Sequence, residues 1–177
     1  MLTLDQAEAI IAAARRRRRE LATPPVAYAV VDGGGNVLCV AREETAGFLR
    51  ADIALNKAWS CFALGFPSRT LHDQVKGWET WFAGIQGAAS GRLMPALGGV
   101  VIRDAGDVAL GAVGVAGAPG EVDEALAVYG IEAIGLKADR GDTVRPPLMT
   151  ITSAARRPPA RRSADTGRGV DRARNRS

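Results

Sequence analysis

The stretch VAYAVVDGGGNVLCVA, residues 26–41, decides the fold of this chain. Residues 26–31 and 37–41 are rich in β-branched and aromatic side chains, which are enriched in β-strands. Between the two runs, Asp32 is followed by three glycines, which supply the positive φ angles that a chain reversal needs. The stretch therefore predicts an antiparallel β-hairpin.

A second hairpin is predicted further along the chain. Residues 99–103 and 108–116 have strand-like compositions, and Asp104-Ala105-Gly106-Asp107 forms the turn between them. The later strand reads LGAVGVA over residues 110–116, and its two glycines indicate that another part of the chain approaches closely.

Helical patterns surround the two hairpins. The first helix begins at a capping box, Thr3 with Gln6, and its apolar stripe runs into five consecutive arginines at residues 15–19. Further helices are predicted at residues 51–64, 68–75 and 121–138. Residues 84–99 hold five glycines and one proline, and this composition predicts a long loop.

This order of elements favours an α+β fold. Two hairpins without a βαβ unit imply an antiparallel sheet of about five strands, with flanking helices that we expect on one face, in a profilin-like or PAS-like layout. We expect one domain at residues 1–140 and a basic, disordered tail at residues 141–177. Residues 154–177 carry a net charge of +6, whereas residues 1–153 carry −2, so the basic character of the chain comes from the tail.

Composition argues against several classes of protein. No apolar run approaches the roughly 20 residues of a membrane span. The two cysteines, Cys39 and Cys61, lie in apolar segments without CxxC spacing, so we expect free thiols and a cytoplasmic location. The only histidine is His72, and the sequence has no zinc-ligand spacing, so neither a zinc site nor a Ser-His-Asp or Cys-His arrangement is supported. Arginine-rich termini are commonly solvated, so the tail does not favour a nucleic-acid partner.

Several segments together resemble one family, the GlcG/HbpS family of haem-binding-protein-like domains, which is related to the C-terminal domain of PduO-type proteins. The segments that carry the resemblance are VVDGGGNVL (30–38) with Arg42, DIALNKA (52–58), LGGVVI (97–102), and GAVGVAGAP (111–119) with DEA (123–125). They occur in the family's order and span about residues 2–137. The resemblance implies the α+β fold predicted above and a homo-oligomer.

The resemblance also implies a function. It indicates a small-molecule or cofactor-binding protein, with haem as the candidate cofactor. Haem-binding relatives of the PduO type use a histidine in or near the first helix, where this chain has Arg15–Arg19. We expect His72 to be an ordinary surface or half-buried residue. The alternative is a cofactor-independent isomerase, lyase or hydrolase that acts on a small organic acid.

Three residues are candidates for catalysis. Lys57 could point into a cleft as a base or Schiff-base former, or lie on the surface as an ordinary ammonium group. Asp32 could take part in chemistry, although a structural role as acceptor for the glycine turn is favoured. Arg42 can reach the same side as Tyr28, where a guanidinium could hold a carboxylate at two points.

The wider set of candidate ligand-binding residues follows the family's polar and glycine positions: Tyr28, Arg42, Asp52, Gly98, Gly99, Gly117, Asp123 and Glu124. The loop at residues 117–120 precedes a helix N-terminus, which exposes backbone donors to an anion. Acidic side chains in the first turns of that helix already occupy its N-terminus. The alternative is a metal ion or other cation bound between these acidic side chains and Asp32. Aromatic residues could line an apolar pocket or fill the core: Trp59, Trp78, Trp81 and Phe82.

Overall fold

The computed structural model describes residues 1–142. The predicted boundary at residue 140 stays a prediction, and nearly all of the predicted tail lies outside the described residues.

An open five-stranded sheet forms the centre of the fold, and all of its strand pairs are antiparallel. The strand order is β2-β1-β4-β3-β5. The elements are α1 (Leu4–Glu20), β1 (Ala27–Asp32), β2 (Val37–Arg42), α2 (Arg50–Leu64), α3 (Ser68–Val75), α4 (Glu79–Ala88), β3 (Gly99–Arg103), β4 (Ala109–Ala116), α5 (Gly120–Glu132) and β5 (Lys137–Asp139). Both predicted hairpins and the α+β class are confirmed.

Helices cover both faces of the sheet, so the expectation of helices on one face was wrong. Helices α1 and α5 pack on the face that carries Tyr28 and Val30, whereas α2 packs on the opposite face. The physical reason lies in the central strands, because β1 and β4 are buried along most of their length. Strands with two apolar faces require a covering layer on each side.

The α2 face of the sheet is made of small residues. Ala27, Ala29 and Ala116 pack against Ala54 of α2 in one cluster. A Cβ atom at Gly114 would collide with the backbone carbonyl oxygen of Ala54. The close approach predicted from the glycines of β4 is an approach of helix α2 at Gly114, whereas Gly111 lies against Val31 of β1 and Leu2.

Two segments differ from their predictions. Helix α4 occupies residues 79–88, which overlap the predicted loop at 84–99; its glycines lower helix propensity and hid the helical pattern. Helix α5 ends at Glu132 rather than near residue 138, because Gly135 takes a positive φ of 78° and turns the chain. The chain then adds β5 beside β3, and a buried ion pair joins Arg103 Nε to Asp139 Oδ2 at 2.8 Å.

Other local predictions hold. Thr3 and Gln6 form the expected capping box at the start of α1. Both cysteines are free thiols; Cys61 is buried and Cys39 is partly buried. Across residues 1–142, the helices are too short or too polar to cross a membrane.

Candidate functional site

Asp32 organises the turn of the first hairpin. Its Oδ1 atom accepts hydrogen bonds from the backbone N–H groups of Gly34 at 2.8 Å and Asn36 at 2.9 Å. Slight burial acts to raise the pKa of Asp32, but the bonds from Asn36 and Gly34 prevail and hold it below its ordinary value. This geometry corresponds to the structural role favoured for Asp32, that of an acceptor for the N–H groups of the glycine turn.

Lys57 lies in the interior, where it bridges α2, β4 and α5. Its Nζ atom donates to the carbonyl oxygen of Val115 at 2.8 Å and to Asp123 Oδ2 at 2.9 Å. The Asp123 carboxylate also accepts from the backbone N–H groups of Gly117 at 3.3 Å and Ala118 at 3.0 Å. The structure thus brings together five predicted site residues: Lys57, Gly98, Gly99, Gly117 and Asp123.

Two glycines lie closely against this bridge. A Cβ atom at Gly98 would lie 3.0 Å from Lys57 Nζ, and one at Gly99 would lie 2.6 Å from the Lys57 carbonyl oxygen. Burial acts to lower the pKa of Lys57 and to raise that of Asp123, while their mutual attraction opposes both shifts. A catalytic role for Lys57 stays a prediction; its side chain is 5% exposed.

Two further candidates lie elsewhere. Glu124 is buried in α5 and accepts from the Arg69 guanidinium, with 3.0 Å between Arg69 Nε and Glu124 Oε1, which ties α3 to α5. Asp52 lies on the exposed side of the first turn of α2, apart from the Lys57–Asp123 bridge.

Tyr28 and Arg42 share a small cleft, as predicted from their neighbouring strands. The cleft has a volume of about 50 Å³ between the C-terminal half of α1 and the β1–β2 hairpin. Arg42 Nη1 donates to the backbone carbonyl oxygens of Glu43 at 3.0 Å and Glu44 at 3.1 Å, and also to that of Ala46. Arg42 therefore holds the wall of the cleft in place.

A larger groove lies along α3 and α4, with a volume of about 440 Å³. It is lined by Asp73, Gln74, Lys76, Trp78 and Trp81. The two tryptophan rings stand nearly perpendicular, with centroids 6.0 Å apart. Of the two alternatives, a pocket wall rather than a core position holds for Trp78 and Trp81, which are 64% and 41% exposed. Trp59 lies apart from the groove, with the Arg92 guanidinium 4.2 Å from its ring centroid.

His72 is adjacent on α3 to Asp73, which lines this groove. The contacts that His72 makes there were not predicted from the sequence. Its Nδ1 atom lies 3.0 Å from Asp73 Oδ1, and Lys76 Nζ reaches the same oxygen at 3.2 Å. The His72 side chain is 37% exposed, which confirms the expected half-buried position. The adjacent sequence His72-Asp73 was the available signal, since a carboxylate commonly orients a functional histidine.

Residues 2–132 match the family model described as "Haem degrading protein HbpS-like". The chain belongs to the HbpS-like family. Within residues 1–142, no cluster of three or more histidine, cysteine or acidic side chains is arranged to hold a metal ion.

Individual relatives agree with the family assignment. An uncharacterised 15.0 kDa protein of Citrobacter freundii, from the dhaT–dhaS intergenic region, is 35% identical over 102 residues, which are 58% of this chain and 70% of that protein. The structure of the Klebsiella pneumoniae protein ORFY is 31% identical, with a TM-score of 0.66, and the match covers 74% of this chain and 88% of that one.

Two more solved structures share the fold. A double mutant of HbpS from Streptomyces reticuli is 28% identical, with a TM-score of 0.64 over 76% of this chain and 87% of that one. A PduOC–haem complex has a TM-score of 0.70 over 78% of this chain and 98% of that one, at 24% identity, and shows likeness of fold. Family and fold together support a ligand-binding role.

Proposed function

We propose that this protein binds haem in the α3–α4 groove, with His72 as the ligand to the iron. The family description concerns haem, and a PduOC protein of the same fold has been solved with haem bound. The observation that carries the proposal is the His72–Asp73 pair beside a groove walled by two tryptophans.

The first helix of this chain does not offer the ligand expected there. Arg15–Arg19 occupy the C-terminal half of α1, and guanidinium groups stay protonated and do not bind iron. The cleft beside them, at about 50 Å³, is also far smaller than a macrocycle. These two observations favour another position for a haem site in this chain.

His72 has the hydrogen-bonding pattern of a ligating histidine. Such residues typically donate one ring N–H to a carboxylate, which fixes the ring and increases the basicity of the other nitrogen. Here the Asp73 carboxylate lies within hydrogen-bond distance of His72 Nδ1, and His72 Nε2 has no hydrogen-bond partner within residues 1–142. Neutral imidazole is among the common ligands of haem iron.

The groove suits a flat, mostly apolar ligand with charged edges. A volume of about 440 Å³ falls in the range of small-molecule sites. Trp78 and Trp81 supply apolar surface, and the Lys76 ammonium at the groove can meet a propionate carboxylate. Bound haem supplies a redox-active iron, while the chain supplies the ligand, the aromatic walls and the charge.

The proposal is tested by titrating the purified full chain with hemin and following the Soret band. Replacing both groove tryptophans, Trp78→Ser with Trp81→Ser, should weaken binding at least about tenfold, because two apolar walls are removed. Tyr129→Ser is the matched control, since Tyr129 is as exposed as Trp81 but lies on α5. Equal weakening by the control would contradict the groove as the site.

We also propose that the protein assembles with copies of itself, as the family resemblance implies. Strand β2 lies at the edge of the sheet, and its Val40 side chain is 41% exposed. Phe48 and Leu49, just before α2, are 86% and 55% exposed. An open sheet edge beside exposed apolar side chains favours pairing with another chain.

A further inference from the structure

A cleft on the other side of the molecule contains an unpartnered buried hydroxyl. Tyr28 is 0% exposed, and its side chain reaches the small cleft between α1 and the first hairpin. The Tyr28 hydroxyl has no hydrogen-bond partner of ordinary geometry within residues 1–142, although the Arg18 guanidinium lies beside it. Buried polar groups normally have partners, so this hydroxyl calls for an explanation.

Two arginines at the same cleft are also uncommitted. Arg15 and Arg19 are four residues apart on α1, so they project from one face of the helix and line the cleft together. Within residues 1–142, neither forms an ion pair or a side-chain hydrogen bond. Arg17, by contrast, is paired with Glu20 at 3.0 Å.

The acidic residues at the cleft limit the charge of a ligand. Glu43 is engaged on both oxygens, with Arg18 Nη2 at 2.9 Å and the Val26 backbone N–H at 3.0 Å. Glu44 also lines the cleft. These carboxylates disfavour a dianion, whereas three lining arginines favour a single negative charge.

We propose that this cleft binds the carboxylate group of a small organic acid. The guanidinium groups of Arg15 and Arg19 hold the carboxylate oxygens, and the Tyr28 hydroxyl donates a hydrogen bond to one of them. A volume of about 50 Å³ admits the carboxylate end of a ligand and leaves the remainder outside. This proposal is independent of haem binding in the α3–α4 groove.

The Tyr28 hydroxyl is suited to donate a hydrogen bond. Burial, and then the neighbouring Glu43 carboxylate, raise the pKa of the Tyr28 hydroxyl well above its ordinary value, against the opposing influence of Arg18. The hydroxyl thus keeps its proton throughout the physiological range. Removing it should change the stability of the unliganded protein only slightly, because its contact with Arg18 lacks ordinary hydrogen-bond geometry.

The experiment measures the thermal midpoint of the full chain in sodium acetate, with sodium chloride at equal ionic strength as reference and sodium phosphate as a second anion. Acetate should raise the midpoint of the wild type in a saturable way. Arg15→Gln and Arg19→Gln should each weaken acetate binding about tenfold. Arg16→Gln removes the same charge from an exposed position of α1 outside the cleft, so it should change binding less than twofold.

Tyr28→Phe separates a binding role from a structural one. The variant should keep the midpoint of the wild type in chloride and lose most of the rise in acetate. Three results would overturn the proposal: no difference between acetate and chloride, equal weakening by Arg16→Gln, or an unchanged acetate effect in Tyr28→Phe. A stronger response to phosphate than to acetate would overturn the assignment to a carboxylate. None of these results depends on hemin binding.

Discussion

Lys57 shows, at the scale of one residue, how burial changes the contribution of a charged side chain to stability. Its ammonium lies 2.9 Å from the Asp123 carboxylate, and both side chains are at most 5% exposed. Removing one member of such a pair leaves an uncompensated charge in the interior, which costs far more than the pair contributes as a whole.

Lys57→Met should lower the free energy of unfolding by about 3–5 kcal/mol, because the Asp123 charge is left buried. The double variant Lys57→Met with Asp123→Asn should lose less than the sum of the single changes, by at least about 1 kcal/mol. Urea unfolding followed by circular dichroism measures both quantities.

Lys76→Met is the control for that experiment. Lys76 pairs with Asp73 on the surface, where its side chain is 67% exposed, and its removal should change stability by less than about 1 kcal/mol. A Lys57→Met variant as stable as Lys76→Met would contradict the structural role of the bridge.

The residue scale also shows what sequence could reveal about the candidate site. The turn at Asp32 could be predicted from the sequence because the Asp32 carboxylate and the backbone N–H groups that it accepts from lie within four residues of one another. The Lys57–Asp123 contact joins residues 66 apart in sequence, and the Arg69–Glu124 contact joins residues 55 apart. Such pairings depend on how α2, α3 and α5 pack, which no local pattern records.

At the scale of elements, the contact between α2 and β4 fixes the layers of the fold. Gly114 lies directly under the backbone of Ala54, and the collision that a Cβ atom would cause is with a carbonyl oxygen. A change of side chain on α2 cannot relieve it. The helix must move away from the sheet or the substitution cannot be accommodated.

Gly114→Ala should therefore lower the free energy of unfolding by more than about 3 kcal/mol or abolish soluble protein. Gly84→Ala makes the same chemical change inside α4, where nothing lies within 4 Å of the new Cβ atom. This control should leave stability unchanged or raise it by up to about 1 kcal/mol. Soluble yield and urea midpoints compare the two. A Gly114→Ala protein of wild-type stability would refute the close packing of α2 on β4.

The ends of helices and strands were predictable where the sequence has clear capping or turn residues. The Thr3 capping box gave the correct start of α1, and the glycine turn gave the strand limits of the first hairpin to within one residue. Helix α4 was missed since it has no buried residue and therefore no core-facing apolar stripe. Strand β5 is only three residues long and is defined by pairing with β3, a long-range contact.

On the scale of the whole molecule, the binding sites proposed for haem and for a carboxylate lie on different elements. One lies along α3 and α4, and the other lies between α1 and the first hairpin. The proposed assembly surface, formed by Val40, Phe48 and Leu49, is a third region. Variants of each region can therefore be interpreted separately.

Assembly is tested by light scattering coupled to size-exclusion chromatography. Phe48→Ser with Leu49→Ser should reduce the mass of the assembly, because the exposed apolar surface is lost. Val108→Ser is the control, since Val108 is 46% exposed in the turn of the second hairpin. A wild-type chain that elutes with the mass of a monomer at all concentrations would refute self-association.

The absorption spectrum of the hemin complex tests most directly whether His72 binds the haem iron. The wild type should give a sharp, saturable Soret band, and His72→Ala should lose it or bind at least about tenfold more weakly. Added imidazole should restore the wild-type spectrum to His72→Ala, because it supplies the missing ligand. A His72→Ala spectrum and affinity identical to those of the wild type would contradict the claim.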